Sequence, residues 1–84
     1  MRVEFFGIPR ERAGIAEFEL QAETLGQLLN VLAVRFPSFS EVVQSGRLRS
    51  PFLANLNGDR FISDPATKLS ESDYVLILSA DAGG

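Results

Sequence analysis

The sequence is 84 residues long, 45% hydrophobic and 23% charged, with a formal net charge of −3. It has no Cys and no His, and Lys68 is the single lysine among its eight basic residues. This inventory excludes a disulfide scaffold, a thiolate or imidazole metal centre, a Cys or Ser–His nucleophile and a His general base. An acidic chain without a Lys/Arg cluster is also a poor nucleic-acid binder, because phosphate neutralisation dominates that affinity. No apolar run approaches the ~18 residues that cross a bilayer. The opening Met1-Arg2-Val3-Glu4-Phe5-Phe6 is too short and polar for a signal-peptide core. The expectation is one small cytoplasmic domain, with no membrane segment and no metal site. Any reacting group must lie outside the usual side chains.

In chain order, Val3 to Phe6 reads as a first strand. Gly7 to Gly14 reads as a turn or loop, bounded by glycines and interrupted by Pro9. Ala16, Phe18 and Leu20 alternate with Glu17 and Glu19, predicting a second strand and an N-terminal hairpin. Thr24 followed by Gln27 fits a capping box. Leu25, Leu28, Leu29, Leu32 and Phe36 then fall on one helical stripe that Pro37 ends. Ser38 to Ser45 predicts a short second helix or turn. Phe52 to Leu56 and Arg60 to Ile62 read as strands joined by Asn57-Gly58, a pair that tolerates positive φ. Tyr74 to Leu78 is apolar on both faces, the mark of a central strand.

This order predicts an α+β fold of the β-grasp type. It has a mixed sheet of about five strands, one main helix and a short second helix. The first and last strands would lie parallel, joined by a crossover containing the helix. Residues 1–79 form the domain in this reading, and 80–84 a flexible tail.

Three features bear on function. The tail ends Asp81-Ala82-Gly83-Gly84, small residues that suit a narrow channel. An ionised glycine carboxylate is unreactive at neutral pH, but an acyl-adenylate is reactive, and without a Cβ its carbonyl stays open to attack. Gly84 is therefore the candidate reacting residue, with Gly83, Ala82 and Asp81 as the segment that enters a partner. Second, one helix covers one sheet face, which leaves Phe6, Phe61 and one parity of the last strand, including Leu76 and Leu78, as a candidate partner surface. The alternative is that the second helix and loops cover it. Third, Arg10, Glu11, Arg12, Arg47 and Arg49 read as solvated loop charges, or as rim contacts for an acidic partner. Asp59, Asp64 and Asp73 sit in turns, where Asp bonds local backbone. Phosphate-binding and dinucleotide fingerprints are absent.

Val3-Glu4-Phe5-Phe6-Gly7 with Arg10-Glu11 and Gly14 resembles the opening of the molybdopterin synthase small subunit. Leu53-Ala54-Asn55-Leu56-Asn57-Gly58, Asp64, Leu69, Ser72-Asp73 and the terminal Gly83-Gly84 resemble its second half. The resemblance covers nearly the whole chain and is weakest from Ala33 to Ser50. It implies a sulfur carrier of the MoaD/ThiS ubiquitin-like family, not catalytic alone. A ubiquitin-activating-type adenylyltransferase would activate Gly84 using ATP and Mg, with no cofactor bound by this chain. A sulfur donor protein would convert Gly84 to a thiocarboxylate, and the tail would enter the large subunit of molybdopterin synthase to supply a pyranopterin precursor. The resemblance implies Gly83 as the passage residue and Phe6, with the exposed parity of the last strand, as the docking surface. Ser79-Ala80-Asp81-Ala82 departs from the family's usual prolines and β-branched or hydroxyl residues, and Asp81 places a charge that the partner channel must accept. Other readings are a carrier for thiamin thiazole or another thiolation, a modifier joined to lysines, and a β-grasp interaction module without carrier chemistry.

Overall fold

Val3 and Phe5 alternate with Arg2 and Glu4, and Val75, Ile77 and Ser79 alternate with Tyr74, Leu76 and Leu78. A period of two sends one set of each strand into the core. In the computed structural model, which describes residues 1–80, these segments form β1 (Arg2–Phe5) and β7 (Tyr74–Ser79). They run parallel, with Val3 opposite Val75 and Phe5 opposite Ile77. On the other side of β7 lies antiparallel β5 (Phe52–Leu56), followed by β6 (Arg60–Ile62). β2 (Glu17–Glu19) closes the far edge, giving the order β2-β1-β7-β5-β6. This is the expected five-strand mixed sheet with β7 in the middle.

Parallel neighbours need a long crossover, and α2 (Leu25–Arg35) supplies it. The Gln27 amide donates to Thr24 Oγ1 at 3.2 Å, while Gln27 Oε1 accepts from the Glu23 amide at 2.6 Å. The helix start is thus capped from both directions, the reach-back landing one residue before the cap. Leu25, Leu28, Leu29 and Leu32 are buried against the sheet. Phe36 ends the helix, and Pro37 begins a 3-10 turn (Pro37–Val42) that carries Phe39 and Val42 into the core. Phe5 meets Phe39 at 5.4 Å and Phe36 at 6.2 Å, and Phe18 meets Phe36 at 5.0 Å, all edge to face. That aromatic chain locks the C-terminal end of α2 onto β1 and β2.

The structure corrects the sequence reading in two places. Gly7 to Gly14 is not a loop but contains α1 (Ile8–Ala13), so β1 and β2 pair without a tight hairpin between them. Pro9 sits in the first helical turn, where a missing N–H costs nothing and its fixed φ helps. Second, after the 3-10 turn come two short strands, β3 (Val43–Gln44) and β4 (Arg47–Leu48), paired across Ser45-Gly46. Strands of two residues offer no alternation to detect. The Asn57-Gly58 turn is as expected, with φ of 58° and 69°. Asp59 N–H donates to Leu56 C=O at 3.0 Å across it. At the opposite end of the sheet from the end of β7, the Met1 amine donates to Leu20 C=O at 2.9 Å.

Gly26 tests how tightly α2 sits. Its amide donates to Pro65 C=O at 3.0 Å, and a Cβ there would lie 3.0 Å from Pro65 Cβ and 3.2 Å from that oxygen. Helix propensity favours Ala over Gly by about 1 kcal/mol, but overpacking against a proline ring and backbone costs about 1–3 kcal/mol. Gly26→Ala is therefore expected to lower the urea midpoint; a raised midpoint would show that the Pro65 segment yields freely.

Candidate functional site

The two faces of the sheet differ sharply. Val3, Phe5, Val75, Ile77 and Ser79 are essentially inaccessible. The opposite parity is not: Tyr74, Leu76 and Leu78 are half-buried, and Phe6, Leu53 and Phe61 are 51%, 37% and 61% exposed. The 3-10 turn does not cover this face and packs instead against α1 and α2.

Register arranges these residues in rows. Phe6 follows Phe5, which is opposite Ile77, and its amide donates to Ile77 C=O at 2.9 Å; this sets Phe6 beside Leu78. Leu78 is opposite Leu53 on β5. One row therefore reads Phe6–Leu78–Leu53. The next reads Glu4–Leu76–Asn55–Phe61, with Phe61 diagonal to Leu53 and within aromatic reach of it. The sequence reading named Phe6, Phe61, Leu76 and Leu78 and missed Leu53. Its signal was available, since Leu53 and Asn55 alternate with buried Ala54 and Leu56.

The third row is polar. Arg2 lies opposite Tyr74, with its guanidinium 5.3 Å from the ring centroid. Tyr74 Oη donates to the Glu4 carboxylate, and that bond, with burial, raises the phenol above its ordinary pKa. Asn57 anchors the start of β7, accepting from the Tyr74 amide at 2.8 Å and donating to Asp73 Oδ1 at 3.0 Å. The face thus grades from charged at the start of β7 to apolar at its end.

The apolar end is where the chain leaves the sheet. Ser79 is opposite Phe52, and the Ala80 amide donates to Pro51 C=O at 2.9 Å. Asp81, Ala82, Gly83 and Gly84 lie outside the described residues. A second apolar surface, Val31 and Val34 on α2, faces away from the sheet and from this exit. Among the described residues no group of three or more His, Cys, Asp or Glu side chains is placed to hold a metal ion. No helix among them is long and apolar enough to cross a membrane.

The sequence model of the ThiS family matches residues 3–84, nearly the whole chain. The chain belongs to the ThiS family. Its fold is the β-grasp of the MoaD/ThiS ubiquitin-like sulfur carriers. No curated protein matches this ThiS-family chain. Several solved structures resemble it. Small archaeal modifier protein 1 (SAMP1) from Methanosarcina acetivorans is 25% identical, with TM-score 0.79, covering 99% of this chain and 94% of that one. The Amycolatopsis orientalis BexX/CysO complex contains a chain 20% identical with TM-score 0.80, covering 99% and 98%. A Pyrococcus furiosus protein named as molybdopterin converting factor, subunit 1, is 23% identical with TM-score 0.77, covering 93% of each chain.

Asp73 supplies a pH test of the polar end. Its carboxylate accepts from the Asn57 amide and, at 2.7 Å, from the Ser70 backbone N–H, and these bonds hold its pKa below the ordinary value. A depressed folded pKa contributes stability above the unfolded value that is lost as pH falls through the folded one. The urea midpoints of the parent and Asp73→Ala are therefore expected to differ at neutral pH and converge below about pH 4. Parallel curves down to strong acid would remove the carboxylate from the account.

Proposed function

We propose that this ThiS-family chain is a sulfur carrier that works as the small subunit of molybdopterin synthase, with Gly84 as its reacting residue. The observation that supports this best is the apolar row Phe6–Leu78–Leu53 beside the point where the tail leaves the sheet. A partner seated on that row receives the tail directly. Docking and delivery then share one surface.

The chemistry follows from the carboxylate. In an activating partner of the ubiquitin-activating adenylyltransferase type, a Gly84 oxygen attacks the α-phosphorus of ATP and pyrophosphate leaves, Mg serving that partner. A hydrosulfide equivalent from a sulfur donor protein then displaces AMP from the acyl carbon and leaves a thiocarboxylate. Gly83, Ala82 and Asp81 thread the channel of the large synthase subunit, where the sulfur passes to the pyranopterin precursor. The contribution of this chain is to dock, to reach and to present one carboxylate. A second reading is a carrier or modifier with a different acceptor, favoured by the 25% identity to a protein named as a small modifier.

Co-expressed with an activating enzyme and a sulfur source, the protein is expected to show an intact-mass population heavier by the difference between sulfur and oxygen, located at Gly84. Deleting Gly84 abolishes that population and leaves the folded core unchanged, since a terminal residue contributes little to packing. If ATP and activating enzymes yield no adenylate on the intact chain, the proposal fails. Supply of sulfur to a pyranopterin by the thiocarboxylate distinguishes the first acceptor; isopeptide-linked adducts mark the second.

The docking face is tested separately. Phe6→Asp and Phe61→Asp are expected to change stability by no more than about 0.5 kcal/mol, as exposed positions do. Each is expected to weaken binding to the large subunit by at least about tenfold, because a charge replaces a desolvated aromatic anchor. Unchanged affinity in both variants would move the docking surface elsewhere.

A further inference from the structure

β7 is gripped unevenly along its length. From Val75 to Ile77 it is paired on both sides, by β1 and by β5. The β1 side stops with the bond from the Phe6 amide to Ile77 C=O, after which the chain turns into α1. Leu78 and Ser79 are paired from the β5 side alone, and Ala80 is held by its single bond to Pro51 C=O. Within this one-sided stretch, Ser79 is 2% exposed on the core side of the strand, and its Oγ has no hydrogen-bond partner among the described residues. A desolvated hydroxyl without a partner is unfavourable, and exposure to water relieves it.

We infer that Ser79 is a positioning residue that sets a hinge at the root of the tail. The closed state keeps the Ser79–Phe52 pairing and the Ala80–Pro51 bond. The open state releases residues 79 and 80 from β5 and hydrates the hydroxyl, while the two-sided grip through Ile77 holds the rest of β7 in place. Opening adds residues 79 and 80 to the chain that can leave the sheet, about 7 Å of further reach. A partner that needs the longer reach binds only the open fraction, so its apparent affinity scales with that fraction. An alanine at this position gives a more stable domain and a shorter working tail. The use of the longer reach rests on the carrier reading above; the hinge itself does not.

The test begins with amide hydrogen exchange on the full chain. Ser79→Ala is expected to slow exchange of the Ala80 amide by about fivefold or more, the size of removing an unpartnered buried hydroxyl. Ser79→Cys keeps the side-chain shape, with a slightly larger atom, while weakening the polar group, and is expected to act in the same direction. Unchanged or faster exchange in both variants overturns the hinge. The second readout is adenylation by an activating enzyme. Ser79→Ala is expected to lower kcat/KM by the factor seen in exchange, and inserting two glycines after Ala80 in that variant is expected to restore it. Slower exchange without rescue by the longer tail overturns the role in reach. If neither the parent nor any variant is adenylated, the carrier reading fails, while the exchange result still decides the hinge.

Discussion

The parallel pairing of β1 with β7 is the constraint on which the rest of this molecule depends. It joins the first and last strands, so everything between them must form one crossover and return. The leucine stripe of α2 fits that requirement by covering the inner face over Val3, Phe5, Val75 and Ile77. β5 and β6 then extend the sheet on the free side of β7. With its helices gathered on the inner face, the sheet presents the opposite parity of β7 outward, and those residues are Tyr74, Leu76 and Leu78 rather than the lysines or glutamates of an ordinary solvent face. A central strand that is apolar on both sides is economical only if something else covers its outer side for part of the time.

The strands and the long helix were legible because each carries a periodic signal. Phe18 between two glutamates, the spacing of Leu25, Leu28, Leu29 and Leu32, and the Asn57-Gly58 pair each match one local geometry. α1 was not legible, because Pro9 reads as a breaker unless the helix is already known to begin beside it. The β3–β4 pair was hidden for a different reason: its residues take their conformation from α2 and the 3-10 turn packed against them. The outer patch was partly legible. Phe6 stood out against the parity of Val3 and Phe5, and the outward parity of Leu53 was readable from its alternation with Ala54 and Leu56; its seat beside Leu78 was not, because it depends on the long-range β5–β7 register.

The charged residues follow the same division of labour. Arg35 stacks over Phe18 and Phe36 at 5.6 Å and 5.3 Å, and Arg12 pairs with Glu41 at 2.8 Å. These guanidinium groups carry positive charge without being nucleophiles, since a guanidinium offers only donors and no lone pair for attack. A chain proposed to carry an activated acyl group benefits from that choice. Lys68 is its sole lysine.

The Met1 contact has a practical reading. The amine sits at the foot of β1, bonded to Leu20 C=O, while β7 runs away from that end to Ala80. Because the two strands are parallel, the start of one and the finish of the other are antipodal, separated by the length of the sheet. Acylating the amine, as a peptide bond to a preceding residue would, still leaves an N–H to donate to Leu20. Material joined at that pole, such as an affinity tag or an enzyme, would hang from the side opposite Ala80. The domain is in this sense polarised, with the foot of β1 and the finish of β7 at opposite poles of the sheet.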